Sequence, residues 1–404
     1  MNISKDDKTT YQAELFANRL KKKSKELRKQ MRKNRVMCYR LYDRDIPEVP
    51  VSLDLYEFLP GDVDSPMEAA RFIAMQNEKL SANDAGIEAD IKERTFAVLY
   101  LYERPYEKDD DDEAAWLDAM ACAASEVLGI EKAHIIKKAR GHKSHKNNEQ
   151  YQKNNESTLR GKDDNTENVI VGLDPTIPPI TGTVIEQGQI FQLDLTSYLD
   201  TGLFFDHRPL RATVRDTCAK KRVLNLFCYT GSFSVYASQG NARFVESVDL
   251  SNTYLGWAKD NMKLNGFIDK NRYTFTRADC MRFLQEKAVA AKNSQLSPEE
   301  LYDIIILDPP TFSNSKATTD VLDINRDWPQ LVKDCLNILA PGGTLYFSTN
   351  SERLKFDVTK VPPKTAAGIG FDCTEITQQT IPADFAGKKP HKVWKFTLKT
   401  AEEF

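Results

Sequence analysis

The sequence lacks the signatures of several protein classes. Its seven cysteines include no CxxC pair, which argues against a zinc ribbon and against a thioredoxin-type redox site. The cysteines are sparse and fall mostly within apolar runs, as reduced core residues do in cytoplasmic proteins. No run of about 18 apolar residues occurs, and the opening residues lack the apolar core of a secretory leader. We therefore expect a cytoplasmic protein that does not associate with a membrane.

The chain is long enough to form real hydrophobic cores. Its 404 residues correspond to roughly two or three domains. Hydrophobic residues make up 41% of the chain and charged residues 28%, which is ordinary for a globular protein. The net charge of -3 does not indicate a nucleic-acid partner. The clustering of Lys and Arg in two segments does indicate one.

A basic segment lies near the N-terminus, where ten of the seventeen residues from 19 to 35 are Lys or Arg. Apolar residues recur at helical spacing, which predicts a helix over 14–35 with a thin apolar stripe of Phe16, Leu20, Leu27 and Met31. The charged face is either simply solvated or paired with a polyanion, and repulsion among its cations favours the polyanion. The RNA-binding candidates here are Lys21, Lys22, Lys23, Lys25 and Arg28.

A second basic segment spans residues 137–162. It holds eight Lys or Arg against two Glu and shows no periodicity, which predicts a flexible loop. Lys143 and Lys146 join the RNA-binding candidates on this basis. His142 and His145 lie in the same stretch, but two histidines alone are a weak ligand set, so we expect no metal site.

The two halves of the chain differ in their patterns. Before residue 200, strand-like and helical runs mix, with strands expected at 38–43, 51–58 and 95–103. After it they alternate, with strands expected at 222–227, 243–250, 272–279, 302–308 and 343–349. A helix over 322–340 should stop at Pro341-Gly342-Gly343. We therefore predict an N-terminal α+β domain, 1–200, led by the basic helix, and a C-terminal α/β domain, 201–404, with a mostly parallel sheet.

Functional residues of such sheets lie at the carboxyl ends of the strands. The first strand of the second half leads into Thr230-Gly231-Ser232, a tight turn in which glycine lets a ligand approach the backbone. Only one glycine is present, so the dinucleotide motif GxGxxG is absent. Asp249 ends the second strand and suits the two hydroxyls of a ribose, while Asp279 ends the third and suits an adenine amino group. Each feature alone could be an ordinary turn or a helix cap.

The fourth strand leads into Asp308-Pro309-Pro310-Thr311-Phe312. Proline fixes its own φ and removes a donor, so this loop is stiff and acidic. Such a loop suits a planar base, on which Phe312 could stack. The catalytic candidates are Asp308, Pro309, Pro310 and Phe312.

The order of these motifs resembles that of the class I S-adenosylmethionine (SAM) methyltransferases, which share a Rossmann-like, mostly parallel seven-stranded sheet. LNLFCYTGSFSVYA (224–237) resembles the methionine-binding motif of that family, and Asp249 and Asp279 match its ribose and adenine acids. The resemblance implies SAM as the cofactor. It also implies a set of cofactor-binding residues: Asp206, Arg208, Asn225, Phe227, Tyr229, Thr230, Gly231, Ser232, Asp249, Leu250, Asp279, Cys280 and Asp308.

Longer motifs narrow the resemblance. TGLFFDHRPLR (201–211), DPPTFSNSK (308–316) and the opening FANRLKK…CYRLYD closely resemble the 23S rRNA guanine-N7 methyltransferases that form the C-terminal half of the bifunctional RlmKL family. The likeness extends from about residue 14 to 400. It implies that the Asp206-His207-Arg208 segment closes over SAM, with Arg208 pairing with the methionine carboxylate. His207 is either part of that closure or a hydrogen-bonded structural residue.

The resemblance implies methyl transfer to N7 of a guanine in 23S rRNA or its large-subunit precursor. Asp308 would then act by binding and electrostatics, with Ser313 and Asn314 available to the guanine edges. The N-terminal half of the RlmKL fusion, with its THUMP and guanine-N2 methyltransferase domains, has no counterpart in this sequence. A separate partner could supply that half.

Three alternatives remain open at this point. Cytosine-C5 methylation needs an attacking cysteine, and neither DPPTFSNSK nor FSTNSERLKF contains one. Methylation of an exocyclic amine such as guanine N2 also uses an Asp-Pro-Pro loop. A non-catalytic RNA-binding assembly factor would have lost the cofactor acids, and Asp249, Asp279 and Asp308 are all present. No Ser/His/Asp arrangement is evident from the sequence.

Overall fold

The structure is a computed structural model, and it describes residues 5–102, 109–140, 178–313 and 321–400. The chain divides into two compact units, Met1–Phe205 and Asp206–Phe404. The division lies close to the boundary between residues 200 and 201 that we predicted. Within the described ranges, no helix is both long enough and apolar enough to cross a membrane.

The first unit contains a mixed four-stranded sheet in the order β1-β2-β3-β4. Its first two pairings are antiparallel and the third is parallel. A separate antiparallel hairpin, β5-β6, turns at Gln187 and Gly188, both of which have positive φ. The strands are β1 (Cys38–Asp43), β2 (Val51–Glu57), β3 (Thr95–Tyr102), β4 (Ile135–Arg140), β5 (Thr181–Glu186) and β6 (Gln189–Asp194).

The basic segment is part of the long helix α1, which begins earlier than we predicted. The helices of this unit are α1 (Lys5–Lys33), α2 (Pro66–Ser81), α3 (Ala85–Glu93) and α4 (Asp110–Leu128). The predicted apolar stripe of α1 is confirmed, because all four of its side chains are buried. The Phe16 ring meets that of Tyr42 on β1 edge to face at 4.8 Å. Trp116 on α4 donates to Gln12 of α1 at 2.8 Å.

The second basic segment is not wholly a loop, so that prediction was wrong at its start. Residues 137–140 belong to β4, which pairs with β3. Lys138 is buried, and its ammonium group donates to the carbonyls of Tyr198 and Leu199 at 2.6 and 3.0 Å. A burial of this kind requires such partners, which the sequence pattern does not reveal. Lys143, Lys146 and the two histidines of this segment lie outside the described residues.

The second unit contains the seven-stranded sheet. Its order is β14-β15-β13-β10-β7-β8-β9, and β15 alone runs antiparallel to its neighbours. The predicted mostly parallel sheet is therefore confirmed. Its strands are β7 (Arg222–Leu226), β8 (Phe244–Asp249), β9 (Tyr273–Arg277), β10 (Tyr302–Leu307), β13 (Leu339–Thr349), β14 (Phe371–Glu375) and β15 (Lys392–Leu398), and a short pair is formed by β11 (Phe312–Ser313) and β12 (Leu322–Asp323).

The helices of this unit form two packed groups, as a sheet buried on both faces requires. In one group α5 packs on α6 and α6 on α7, while in the other α8 packs on α9. They are α5 (Arg208–Thr217), α6 (Ser232–Gln239), α7 (Asn252–Leu264), α8 (Cys280–Lys292) and α9 (Ile324–Asn337), with the short α10 (Thr377–Thr380) near the end. The apolar stripe of α9, which includes Trp328, Leu331 and Cys335, lies in the core beside β10 and β13.

The helix α9 ends three residues earlier than we predicted. It stops at Asn337, and Pro341-Gly342-Gly343 lies within β13. Gly342 has a φ of 75°, and the pairing of β13 with β10 shifts register in this stretch. The proline and glycines therefore mark an irregularity of the strand, not the end of the helix.

The docking of α1 through its apolar stripe is testable. Leu20 is fully buried, so Leu20→Ala should lower the free energy of unfolding by about 2–5 kcal/mol through lost contacts and a cavity. Lys21 is the adjacent exposed residue, and Lys21→Ala should change stability little. Urea unfolding followed by circular dichroism measures both variants. Equal effects of the two substitutions would show that α1 is not packed in this way.

Candidate active site

At the carboxyl edge of the parallel sheet, the turn after β7 has an unusual backbone conformation. Phe227, Tyr229 and Gly231 have φ values of 52°, 50° and 76°, all in the left-handed region. A Cβ on Gly231 would lie 2.8 Å from the Cβ of Ala258 on α7, so only glycine fits here. The turn therefore packs closely against α7 and presents its backbone at the end of β7.

Asp249, at the end of β8, fastens this turn. Its Oδ2 accepts the Tyr229 N–H at 2.9 Å, and its Oδ1 accepts the Ser251 N–H at 2.9 Å. The first bond helps to offset the strain of a left-handed tyrosine. A carboxylate oxygen can accept more than one hydrogen bond, so its role in the turn is compatible with a ribose ligand.

Asp279, after β9, is the N-cap of α8. Its Oδ1 accepts the backbone N–H groups of Met281 and Arg282 at 2.8 and 3.0 Å. Its Oδ2 accepts no hydrogen bond from the residues that the structure describes. The carboxylate is thus held in place by one oxygen, while the other is available to an amino group.

Several of the predicted cofactor-binding residues form hydrogen bonds within the protein. Asn225 is buried and donates to Ser234 at 2.9 Å, and the buried Cys280 thiol accepts the Phe227 N–H at 3.3 Å. That Asn225 and Cys280 bind the cofactor stays a prediction. Thr230 is buried too, and its carbonyl accepts from Asn261. Phe227, Tyr229, Ser232 and Leu250 remain half-buried around the turn.

The Asp-Pro-Pro loop follows β10. Pro309 is buried and Pro310 is exposed, so the loop is anchored on one side. Phe312 is 59% exposed, which is unusual for a phenylalanine and leaves its ring available for stacking. The Asp308 side chain is 32% exposed, and it accepts a short hydrogen bond from Ser348 near the end of β13.

The Asp206-His207-Arg208 segment leads into α5 and meets this loop. His207 Nε2 lies 3.1 Å from Ser348 Oγ and 3.5 Å from Asp308 Oδ1. On its other side, His207 Nδ1 lies 3.2 Å from Asp206 Oδ2. The same Asp206 oxygen lies 3.0 Å from Nδ1 of His391, a residue just before β15.

Arg208 has an internal partner that the sequence analysis did not name. Its guanidinium donates to the Asp384 carboxylate at 2.9 Å, and both side chains are buried. Its expected pairing with the methionine carboxylate of the cofactor stays a prediction. A buried cation needs such an internal partner, and the carboxylate that supplies it is 176 residues away in the sequence.

The charged groups of this cluster stabilise one another in their ionised forms. Burial alone would lower the pKa of His207, but the carboxylates of Asp308 and Asp206 outweigh it and raise this pKa to about 10. Burial would raise the pKa of both carboxyl groups, yet His207 holds the pKa of Asp206 well below its ordinary value and also lowers that of Asp308. At neutral pH the cluster therefore contains an imidazolium between two carboxylates.

The structure thus brings together a Ser/His/Asp arrangement that the sequence did not reveal: Ser348, His207 and Asp206. It lacks the properties of a hydrolase triad. A histidine that is already protonated cannot take a proton from serine. The Ser348 hydroxyl is buried and donates to Asp308, so it serves as a bridge and not as a nucleophile.

The same cluster resembles a metal site in its spacing. Ligand atoms of Asp206, His207 and His391 lie within 4.8 Å of one another. A metal would have to compete with protons for the imidazole nitrogens, and the absence of a metal site stays a prediction. Among these three residues, His391 and Asp206 share a hydrogen bond, and Asp206 and His207 form an ion pair.

Three residues of the site escaped the sequence analysis: Ser348, Asp384 and His391. Ser348 lies near the carboxyl end of a strand that we predicted, which is where functional residues of such sheets lie. No local pattern marks the other two, which reach the site only through the fold.

Comparison with known proteins agrees with this architecture. The family model described as S-adenosylmethionine-dependent methyltransferase matches residues 170–366. Ribosomal RNA large subunit methyltransferase K of Neisseria meningitidis is 36% identical over 385 residues, which cover 95% of this chain and 87% of that protein. The chain belongs to this family of SAM-dependent methyltransferases.

One further sequence relative and one solved structure are also similar to this chain. Ribosomal RNA large subunit methyltransferase K/L of Magnetococcus marinus is 35% identical over 386 residues, or 95% of this chain, which spans only 43% of that relative's length. The crystal structure of SMU.776, described as a methyltransferase complexed with SAH, shares the fold with a TM-score of 0.62. That similarity has 20% identity and covers 95% of this chain and 81% of the other.

The residues at the sheet edge fit the SAM cofactor of this family. The glycine turn lets a ligand approach the backbone closely, and Asp249 and Asp279 provide acceptors at adjacent strand ends. When bound, SAM supplies an electrophilic methyl group carried by a sulfonium. Gly231, Asp249 and Asp279 would hold it, with Asp308 on the neighbouring strand.

The charge of His207 makes a prediction for stability. Its folded pKa of about 10 lies above the ordinary value of 6.5. The stabilisation from its protonated form is complete below 6.5 and is lost as the pH rises through about 10. Unfolding in urea should therefore become easier across this range, and His207→Gln should flatten the dependence. An unchanged slope in the variant would contradict the assigned charge.

Proposed function

We propose that this protein transfers a methyl group from SAM to N7 of a guanine in 23S ribosomal RNA, in the cytoplasm. The names of its relatives support the RNA of the large ribosomal subunit as the substrate. The observation that carries the choice of atom is the state of Asp308. Its pKa is lowered by His207 and Ser348 despite its partial burial, so it is a poor base and a persistent negative charge.

Guanine N7 requires no base. Its in-plane lone pair forms the bond to the methyl carbon while the carbon–sulfur bond breaks and its electrons remain on sulfur. No proton moves in this step, and N7 becomes cationic. The protein must align the reactants, exclude water and offset the positive charge. Asp308 supplies the charge, and Phe312 offers a face on which the guanine stacks.

The alternatives are less well supported. An exocyclic amine such as guanine N2 loses a proton on methylation, for which a carboxyl group with a lowered pKa is a weak acceptor. Cytosine C5 needs a thiolate, and burial raises the pKa of both Cys228 and Cys280 well above the ordinary value. A non-catalytic RNA-binding factor would not need Asp249 and Asp308 to be held by hydrogen bonds as they are.

The RNA would dock on α1 through its exposed cations. Lys21, Lys22, Lys25 and Arg28 are exposed, and Lys23 is half-exposed, on the side that the apolar stripe leaves free. Lys143 and Lys146 stay candidates outside the described residues.

A methyl-transfer assay tests the proposed atom. The protein and SAM are incubated with 23S rRNA from cells that lack this gene, and the digested nucleosides are identified by mass spectrometry. We expect 7-methylguanosine. The appearance of N2-methylguanosine or 5-methylcytidine would agree with an RNA methyltransferase but contradict N7 of guanine as the target atom. SAM binding without methylation of any rRNA preparation would favour a non-catalytic factor.

The electrostatic role of Asp308 can be tested by Asp308→Asn, which keeps the size and removes the charge. We expect kcat to fall by about 100-fold or more, as for other preorganised electrostatic groups. Asp303 is the matched control, because it lies at the opposite end of β10 and accepts the Arg222 N–H at 2.7 Å. Asp303→Asn should leave kcat nearly unchanged. Full activity of the Asp308 variant would remove its assigned role.

The docking surface can be tested by charge reversal. Changing Lys21, Lys22 and Lys25 to Glu should weaken RNA binding and reduce its salt dependence, since each lost phosphate contact lowers the slope by about 0.7–0.9. Exposed lysines of other helices, Lys79, Lys292 and Lys333, allow a triple reversal with the same change of net charge. Equal losses in both triple variants would point to general electrostatics and against a site on α1.

A further inference from the structure

The function proposed above assigns no role to Asn350, an exposed residue that directly follows β13. The Thr311 hydroxyl donates to its Oδ1 at 2.5 Å, which places the amide group beside the loop that follows Asp308. Among the residues that the structure describes, Asn350 Nδ2 has no hydrogen-bond partner. The protein thus uses the acceptor of this amide, and its two N–H donors are available to a ligand.

The surroundings of Asn350 hold it in place. The next residue, Ser351, is buried, and its hydroxyl donates to Asn325 Oδ1 at 2.8 Å near the start of α9. On the other side, the Thr311 carbonyl accepts the Ile324 N–H at 3.2 Å, so the partner of Asn350 is anchored to the same helix. These anchors and the hydroxyl bond together restrict the direction of the exposed amide.

Asn350 lies on the far side of Asp308 from the residues that fit SAM. In the order of the sheet, β8 and β7 carry the cofactor residues, β10 follows with Asp308, and β13 comes next with Asn350. Adjacent strands are about 4.8 Å apart. Ser348 donates to Asp308 and Thr311 donates to Asn350, so the end of β13 contacts this loop at two points. For a base with its reactive edge at Asp308, Asn350 is therefore the donor on the next strand.

The reactive edge of guanine needs such a donor. This edge carries two acceptors, N7 and O6. N7 must keep its lone pair for the methyl group, so a hydrogen bond from the protein can be made only to O6. The negative charge of Asp308 at this edge repels both acceptors until N7 becomes cationic. A donor to O6 offsets that repulsion in the complex that precedes methyl transfer.

We propose that Asn350 is a specificity-determining residue whose Nδ2 donates to O6 of the target guanine, and that Thr311 is the positioning residue that directs it. This inference deepens the proposed function and rests on it for the identity of the base. Adenine carries an amino group in place of O6. That group would face the amide N–H groups of Asn350, and two opposed donors leave each other without a partner. The Thr311–Asn350 pair therefore selects guanine over adenine.

Three RNAs with different bases at one position test the contact. Each is the rRNA fragment that the wild-type protein methylates, with guanine, inosine or 2-aminopurine at the target position. Inosine keeps N7 and O6 but lacks the N2 amino group, whereas 2-aminopurine keeps N7 and N2 but lacks O6. Transfer of a radiolabelled methyl group from SAM gives kcat/KM for each RNA. Equilibrium binding of each RNA in the presence of SAH gives a second measurement that needs no turnover.

Asn350→Ala removes the donor. We expect kcat/KM to fall by about 10- to 100-fold on the guanine and inosine RNAs, the effect of leaving a polar partner unpaired, and binding of both to weaken. On the 2-aminopurine RNA the variant and the wild type should be equal in rate and in binding, because O6 is already missing. The intrinsic reactivity of each base cancels, since every ratio compares two proteins on one RNA. The same fractional loss on all three RNAs would overturn the proposal.

Two substitutions of Thr311 test the direction of the amide. Thr311→Val keeps the shape and removes the hydroxyl, so it should lower kcat/KM on the guanine RNA by about 3- to 10-fold. Thr311→Ser keeps the hydroxyl and should restore most of the activity. Asn293→Ala is the control for the loss of an exposed asparagine, because Asn293 lies at the opposite end of α8 from Asp279, and it should change no rate. Equal losses in the Val and Ser variants would contradict the positioning role of Thr311.

The products separate this inference from the proposed function. N2-methylguanosine from the guanine RNA would overturn the proposed function, and the inosine RNA would then accept no methyl group. The comparison of the guanine and 2-aminopurine RNAs would still show whether Asn350 contacts O6. Conversely, 7-methylguanosine and 7-methylinosine formed at rates that Asn350→Ala does not change would overturn the inference alone.

Discussion

The cationic His207 between Asp206 and Asp308 is the interaction on which the candidate site depends. It joins the segment that opens the second unit to the loop after β10, and Ser348 joins the same point to β13. Its charge holds both carboxylates in their ionised form although burial opposes this. Removing any one of the three charges would leave another without its partner, which is why the cluster must be considered as a unit.

The cofactor edge of the same sheet is organised by a second set of contacts. Asp249 binds the N–H of Tyr229, and Gly231 lets the turn lie against α7. These contacts maintain the left-handed backbone conformation of Tyr229, which would be unfavourable without them. The cofactor edge is thus preformed by the protein, and the charged cluster lies one strand away, after β10. Under the proposed function, this arrangement would separate the residues that hold SAM from those that balance the charge of the reaction.

Local patterns predicted the parts of this protein that local chemistry determines. The stripe of α1, the alternating strands and helices, and the acids at the strand ends all repeat or end at regular spacing, so the sequence displays them. The hairpin β5-β6 and the strands β4, β14 and β15 were not located, although each is at least as long as the predicted strands β7 and β9. The partners of Arg208 and His207 could not be foreseen either. Asp384 and His391 lie far along the chain, and only tertiary folding makes them neighbours.

The most direct test of this account is the ionisation of Asp308 itself. The carboxyl carbon of ¹³C-labelled aspartate can be followed by NMR as a function of pH, and Asp308→Asn identifies the signal. Because the pKa of Asp308 is lowered from its ordinary value of 3.8, the account predicts a constant signal from weakly acidic to neutral pH. A titration of this carboxyl group near neutrality would contradict it, since Asp308 would then hold a proton and could act as the base that the proposed reaction does not need.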